Sequence, residues 1–556
     1  MRHPLLYFAL ISLLACSKTG NKSTTTTTTT SSFSFNSFKV NGSYNGFTYY
    51  NVNDTPTITI SFTAPLSSSA ATGAISLKNG AGASVNCSLT LSDNDSLLAI
   101  RPSGALQPIT KYTLAVSTSL QSQSGGNLDG ALNIYLTTAI DSSDKFPRIS
   151  DSALLDLVES QTLKYFWDFG HPTSGMARER NTSGDVVTTG GTGFGIMAML
   201  AGAQRNFISH GDALTRVSTI VNFLLNNASR YHGAFSHWIN GATGATVPFS
   251  TEDDGGDIVE TAYLMQGLLT ARQYFSSSSD STEITLRQNI NNIWNSVDWS
   301  WCRRGGLNVL YWNWSPDYGW AVNTPVQGWN EALITYVLAA SASSDSIPRS
   351  TYDSGWAGNG SMRNGNAYYG TTLPLGPSLG GPLFFAHYSF LGLNPNGLSD
   401  GYANYLTQNT AHATINYSYC VANPQGYNGY SNQCWGLTAS DDNASGYAAH
   451  SPTNDIGVIS PTAAIASLPY TPTQSMNALR FFYYKLGDKI WGSYGFADAF
   501  NLTNIWFASS YLAIDQGPEI VMIENYRSGL LWNLFMSCPE VQQGLKNLGF
   551  SSPYIN

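Results

Sequence analysis

The sequence predicts a mainly α-helical domain preceded by a small all-β sandwich, and three observations predict it. At 556 residues the chain exceeds what one hydrophobic core serves, so two or more domains are expected. From residue 38 to residue 140 apolar and polar residues alternate in short runs, the period of half-buried strands. After Asp141 the apolar spacing becomes three and four, the period of helices.

At the N-terminus, Arg2 and His3 precede an apolar run from Leu5 to Ala15 that is too short to span a bilayer and has the proportions of a signal-peptide core. It ends in Leu13-Leu14-Ala15-Cys16, which resembles the lipobox of bacterial lipoproteins. Residues 1–16 are therefore expected to direct export to the outer membrane, the cell surface or the periplasmic face, with Cys16 acylated as the only membrane anchor. Residues 17–37, rich in Ser and Thr with seven threonines from Thr24 to Thr30, read as a flexible tether. Export permits disulfides, and Cys420 and Cys434 are close enough in sequence to close a short loop, whereas Cys87, Cys302 and Cys538 lie far apart. No C-x-x-C pair supports a cysteine zinc site or redox motif.

The alternating runs are TITISFT at 57–63, AISLKN at 74–79, SVNCSLTLS at 84–92, SLLAIRP at 96–102, KYTLAVST at 111–118 and NIYLTTA at 133–139. Gly, Asn, Asp and Pro separate them, as in an antiparallel sandwich. With a Thr-rich last strand after the turn Gly126 to Gly130, residues 38–140 resemble bacterial immunoglobulin-like modules. Such a module is a spacer or a carbohydrate-binding unit.

Residues 145–556 form the second domain. Its first helix is expected at 150–169, with Ser150 and Asp151 as caps. Similar periodicity marks 192–206, 211–228, 257–275, 282–297, 327–341, 400–411, 474–487 and 517–535. Helices in this number suggest a closed toroid or a bundle, and periodicity does not choose between them. Two long loops interrupt them. Residues 305–323 carry Trp312, Trp314, Tyr318 and Trp320, and residues 365–393 alternate glycines with aromatics around His387. Aromatic faces stack on sugar rings, so these loops would line a saccharide cleft. The composition agrees, with 13% aromatic and 11% charged residues, and a net charge of −9 disfavours a nucleic-acid partner.

Three acidic clusters offer chemistry. Asp253, Asp254 and Asp257 sit near the expected start of a helix, where the macrodipole and free N–H groups favour carboxylates. Glu260 falls one turn further on the same apolar face, which capping does not explain. Glu331, at the start of an apolar helix beside Trp329 and Asn330, is placed to have the raised pKa of a general acid. Asp515, Glu519 and Glu524 lie near Arg527, so an internal Glu524–Arg527 pair is expected as the plain alternative. Glycoside hydrolysis requires two carboxyl groups flanking the bond, one to protonate the leaving oxygen and one to activate water or attack carbon. Other chemistries find less support. GTGFGIM at 191–197 follows no strand, His232, His237, His387, His412 and His450 lack metal-ligand spacing, and no G-x-S-x-G elbow occurs. No cofactor is expected, although SDDNAS at 440–445 has residues that suit calcium.

From about Leu154 to Phe550 the motifs TGFGIMAMLAG, HGAFSHWINGATG, DDGGDIVETAYLMQGLLTARQYF, GGLNVLYWNWSPDYGW, CWGLTASDD, AHSPTNDIGVISPTAA and AIDQGPEIVMIENYRSGLLWNLF resemble the bacterial glucoamylase-like domain that contains glycoside hydrolase family 144. That resemblance implies an (α/α)6 toroid, hydrolysis of β-1,2-glucan to short sophoro-oligosaccharides with inversion, and export. Carried over by motif, Glu331 is the expected general acid, with Asp257 or Asp515 as the base. Asp253, Asp254, Glu260, Glu519, His387, Trp312, Trp314, Tyr318, Trp320 and Trp329 are the expected sugar-binding residues. The expected partner is a β-glucan, the expected mode endo-acting and the expected state a monomer. Exo action, another linkage, a lyase or a non-catalytic glycan-binding lipoprotein are the alternatives.

Overall fold

A computed structural model describes residues 31–555; the expected signal peptide, Cys16 and the threonine run lie outside them. The described chain forms two compact units that divide after Thr138.

The first unit is a sandwich. One sheet runs in the order β1 (Phe35–Val40), β3 (Ile58–Phe62), β7 (Leu97–Pro102), β6 (Cys87–Ser92). The other runs β2 (Thr48–Val52), β9 (Leu132–Thr138), β8 (Lys111–Val116), β4 (Ile75–Asn79), β5 (Ser84–Val85). Alternation dictates the core: Ile58, Ile60, Leu98 and Ile100 from one sheet face Leu114, Ile134 and Leu136 from the other. Each such side chain contributes roughly 1.5–3 kcal/mol by leaving water. A short helix, α1 (Ser68–Ala74), leads into β4. The sandwich starts earlier than expected. Phe33 is buried and bridges Leu128, and β1 takes Phe35, Asn36 and Ser37 from the segment read as tether.

The second unit is a toroid with, among the described residues, an inner wall of six segments. They are α3 (Thr189–Gln204), α5 (Ile258–Tyr274), α7 (Leu333–Ser341), two 3-10 turns at Leu383–Ala386 and Tyr388–Leu391, α10 (Pro461–Ala466) and α12 (Ala513–Arg527). α12 packs on α3 and closes the ring. Outside it lie α2 (Asp151–Trp167), α4 (His210–Asn226), α6 (Ser281–Trp294), α9 (Tyr405–Ala422), α11 (Pro472–Ile490) and α14 (Pro539–Leu548), while α8 (Arg349–Thr351) is a single turn. Ser150 caps α2 as expected, its hydroxyl accepting from Ala153 N. The inner helices are buried nearly all round, while α4 and α14 bury one stripe and turn charged residues outward.

Glycines let the inner helices approach closely. A Cβ on Gly193 of α3 would lie 2.2 Å from the Tyr263 carbonyl oxygen, and one on Gly267 of α5 would lie 2.3 Å from the Gly193 carbonyl oxygen. Several expectations change. The segment read as 517–535 is two helices, α12 and α13 (Leu530–Met536), broken at Gly529 with φ +70°. α7 begins at Leu333, so Glu331 stands in the turn before it. Part of the loop at 365–393 is inner wall.

Candidate active site

The floor of the toroid's cleft is organised by Asp257, the N-cap of α5. Its Oδ1 accepts from Val259 N and Glu260 N, each at 2.9 Å, and satisfies two of the free N–H groups of the helix start. Its Oδ2 receives His237 Nδ1 at 3.1 Å and Trp312 Nε1 at 3.2 Å. Trp312 is brought there by a two-residue ladder that pairs Asp257 with Asn313 and Gly256 with Trp314. Asp253 and Asp254 precede this ladder in a turn, so of the three aspartates only Asp257 caps the helix. Burial and the Asp257 charge raise the pKa of Asp253.

One turn along, the buried Glu260 accepts from Gly190 N at 2.8 Å, where α3 begins. A Cβ on Gly190 would come within 2.5 Å of Glu260 Oε2, so this contact requires glycine. Burial raises the pKa of Glu260 despite the opposing charge of His237. For His237 burial alone would lower the pKa, but Glu260, Asp257 and Asp253 together hold it up to about 9. The imidazole is therefore cationic at neutral pH.

Glu331 completes this side. Its carbonyl accepts from the Ser389 hydroxyl, which anchors the turn to the 3-10 segment of the inner wall. Burial, and secondarily the charges of Glu260 and Asp257, push its carboxyl up to about 7. The Trp329 ring is buried, stacks on Tyr405 at 5.9 Å and packs against Gly376.

A second cluster comes from four separate segments. Asp515, in the first turn of α12, lies beside Asp498, and Asp498 Oδ2 accepts from Asp441 N at 2.6 Å. Burial raises both carboxyls, Asp498 to about 7, and the Asp498 charge raises Asp515 further, while the contact with Asp515 lowers Asp498. Asp441 in turn binds Arg180 Nη1 at 3.1 Å and the Ser510 hydroxyl at 2.5 Å, and Arg180 Nε pairs with Glu179 at 3.0 Å. Arg180, Asp498 and Tyr447 carry no signal in the sequence, and Asp441 and Tyr388 figure there only within SDDNAS, CWGLTASDD and the 365–393 loop. No spacing links residues so far apart in the chain.

Between the clusters lies a cavity of about 310 Å³, lined by Arg180, His237, Trp238, Glu260, Tyr388 and Tyr447 among others. A second cavity of about 260 Å³ shares Arg180 and is walled by Trp506 and Phe507. The predicted aromatic loop gathers around His232. Trp314 meets the His232 ring edge-on at 5.2 Å, Trp301 stacks on His232 at 3.6 Å, and Trp320 lies 6.4 Å from Trp301. Tyr318 is exposed nearby in the chain.

Several expected residues lie elsewhere. Glu519 faces α2, accepting from the Thr162 hydroxyl at 3.0 Å, because its place on α12 points it between inner and outer helices. His387 is buried against Ser467 Oγ at 3.0 Å, and burial lowers its pKa to about 3. Glu524 pairs with Arg205 at 2.6 Å, while Arg527 takes Asp156 and Glu159, so the expected Glu524–Arg527 pair does not form. Cys420 and Cys434 are separate buried thiols. SDDNAS forms a hairpin turn in which Asp442 accepts from Ala444 N and Ser445 N, which leaves that carboxylate satisfied by the backbone.

Comparison with known proteins gives two family matches. Residues 323–539 match the family described as "Putative glucoamylase", and residues 38–138 match the bacterial Ig-like domain. An endo-β-1,2-glucanase from Chitinophaga pinensis, solved with sophorotriose and glucose, is 50% identical, covers 73% of this chain and 100% of its own, and superposes with a TM-score of 0.71. A β-1,2-glucanase from Parabacteroides distasonis is 38% identical over 93% of this chain and 72% of its own, also with a TM-score of 0.71. The exo β-1,2-glucooligosaccharide sophorohydrolase (non-reducing end) of Parabacteroides distasonis is 46% identical over 444 residues, or 76% of this chain. This chain spans 61% of that relative's length.

Proposed function

We propose that this chain, which belongs to the glucoamylase-like glycoside hydrolases of family 144, hydrolyses β-1,2-glucan to sophoro-oligosaccharides with inversion, cutting within the polymer. One observation carries the reading: Tyr388, in the wall of an aromatic-lined cavity, feels the charges of both Asp515 and Glu331, so buried carboxyls with raised pKa values from two clusters stand near one cavity. Glu331, neutral up to about pH 7, is the general acid that protonates the leaving oxygen. The Asp498–Asp515 pair supplies the base that activates water. Asp257 is the poorer base because four donors already occupy its two oxygens. Asp257 and cationic His237 instead set the shape and charge of the floor, and Glu260 is left to bind sugar hydroxyls.

Endo action is supported by the second cavity, which shares Arg180 with the first and adds Trp506 and Phe507 as further aromatic wall. The exo reading has its own observation. The Glu179–Arg180–Asp441 ion pairs stand between the two cavities and would stop a chain end there. A time course on linear β-1,2-glucan separates the two. A ladder of oligosaccharides supports endo cleavage, and sophorose alone from the first minutes means exo cleavage.

Export as a lipoprotein through Cys16 is part of the proposal and rests on residues 1–16. Incorporation of labelled palmitate that is lost in Cys16→Ala would support it, and unlabelled protein in both would refute it.

A further inference from the structure

The sandwich carries a concave surface on the outer face of its five-stranded sheet, away from the core. β2 runs parallel to β9 with Thr48 opposite Tyr135, and β9 runs antiparallel to β8 with Tyr135 opposite Thr113 and Thr137 opposite Lys111. Positions two apart share a face, so Thr48, Tyr135 and Thr113 form one outward row across three strands. Tyr50, Thr137 and Lys111 line the same hollow, whose volume is about 340 Å³, close to the 310 Å³ of the catalytic cavity. Tyr135 is 48% and Tyr50 39% exposed, while the intervening aliphatics Leu114, Ile134 and Leu136 all turn into the core.

We infer that this face is a second glucan-binding site, in which Tyr50 and Tyr135 stack on sugar rings while Thr48, Thr113 and Lys111 hydrogen-bond hydroxyls. The lining specifies the ligand class. It holds no carboxylate and a single cation, so an anionic glycan would find one counter-charge and a basic partner none. With no aliphatic side chain exposed on it, the hollow gives a protein partner little apolar surface, whereas two rings and a set of hydroxyl groups suit a neutral polysaccharide. The inference rests on the proposed β-1,2-glucan activity for its choice of glucan. A site on the same chain as the catalytic cleft would raise apparent affinity for long chains that reach both, and leave short ones unaffected.

The test uses the full chain and Tyr50→Thr/Tyr135→Thr, which removes the rings but keeps strand-forming residues. In the Glu331→Gln background, migration through a gel containing linear β-1,2-glucan should be retarded, and the double variant should lose much of that retardation. In the active chain, KM for the polymer should rise roughly three- to ten-fold while kcat and the cleavage of a short sophoro-oligosaccharide stay as they were. Unchanged retardation and unchanged polymer KM would overturn the inference while leaving the catalytic reading intact. So would gel filtration showing a dimer that the double variant dissolves, which would make the face a contact between copies. Tyrosine-dependent retardation without any hydrolysis would sink the catalytic reading and sustain the second site.

Discussion

Asp257 Oδ2 and His237 Nδ1 meet at 3.1 Å, and the other oxygen of the same carboxylate caps the helix that carries Glu260. One side chain thus couples the start of an inner helix to the charge state of the floor. Removing it has two consequences of different size. Asp257→Ala should cost about 0.5–2 kcal/mol through the lost cap, and kcat should fall by about 100-fold or more because His237 and Trp312 lose their shared acceptor. Chemical denaturation and steady-state kinetics on the same variant would read both. A loss of stability with kcat intact would mean that Asp257 only caps.

His237 makes stability depend on pH in a defined direction. Its folded pKa of about 9 lies above the ordinary value of 6.5, so its interactions stabilise fully below pH 6.5 and that contribution is lost as the pH rises through about 9. The difference in melting temperature between wild type and His237→Gln should therefore shrink between pH 6 and pH 9.5. A constant difference would show that the imidazole is neutral throughout.

Asp515 is held well above the ordinary carboxyl range by burial and by the Asp498 charge beside it. Asp498→Asn removes the like charge and offers Asp515 an N–H donor, both of which lower its pKa. If the pair supplies the base, the acid limb of the kcat/KM profile should move to lower pH in this variant. A limb that stays in place would assign the base elsewhere.

The inner wall predicts a stability defect with no active-site contact. Gly193→Ala would drive a methyl group against the backbone at Tyr263, 2.2 Å away, where nothing can swing aside. A loss of about 3 kcal/mol is expected, the upper part of the overpacking range. A loss under 1 kcal/mol, by urea denaturation, would show that α3 and α5 can shift apart.

How much of this was legible in the sequence depended on how local each feature is. Alternation marked β3, β4 and β6 to β9, but not β2, where adjacent Tyr49 and Tyr50 point to opposite faces and break the apolar-polar pattern. α10, at six residues, is too short for its period to register, and the 3-10 turns at 383–391 have none, so an inner-wall element read as a loop. Asp257, Glu260 and Glu331 stood out because carboxylates beside apolar helix residues are conspicuous wherever they occur. His237 did not, since its partner is 20 residues on and reaches it through tertiary structure. Trp329 and His387 looked like cleft residues by composition, yet both are buried against neighbouring side chains. The Arg180–Asp441–Asp498–Asp515 cluster exists only once the ring has closed.

Hydrolysis through Glu331 is tested most directly by incubating wild type and Glu331→Gln with linear β-1,2-glucan, laminarin, cellulose and starch, and quantifying the products by chromatography. Sophoro-oligosaccharides are expected from β-1,2-glucan alone, with a rate at least about 100-fold lower in Glu331→Gln, the contribution expected of a general acid. Undiminished hydrolysis by Glu331→Gln, or no hydrolysis of β-1,2-glucan by wild type, would contradict the proposed function.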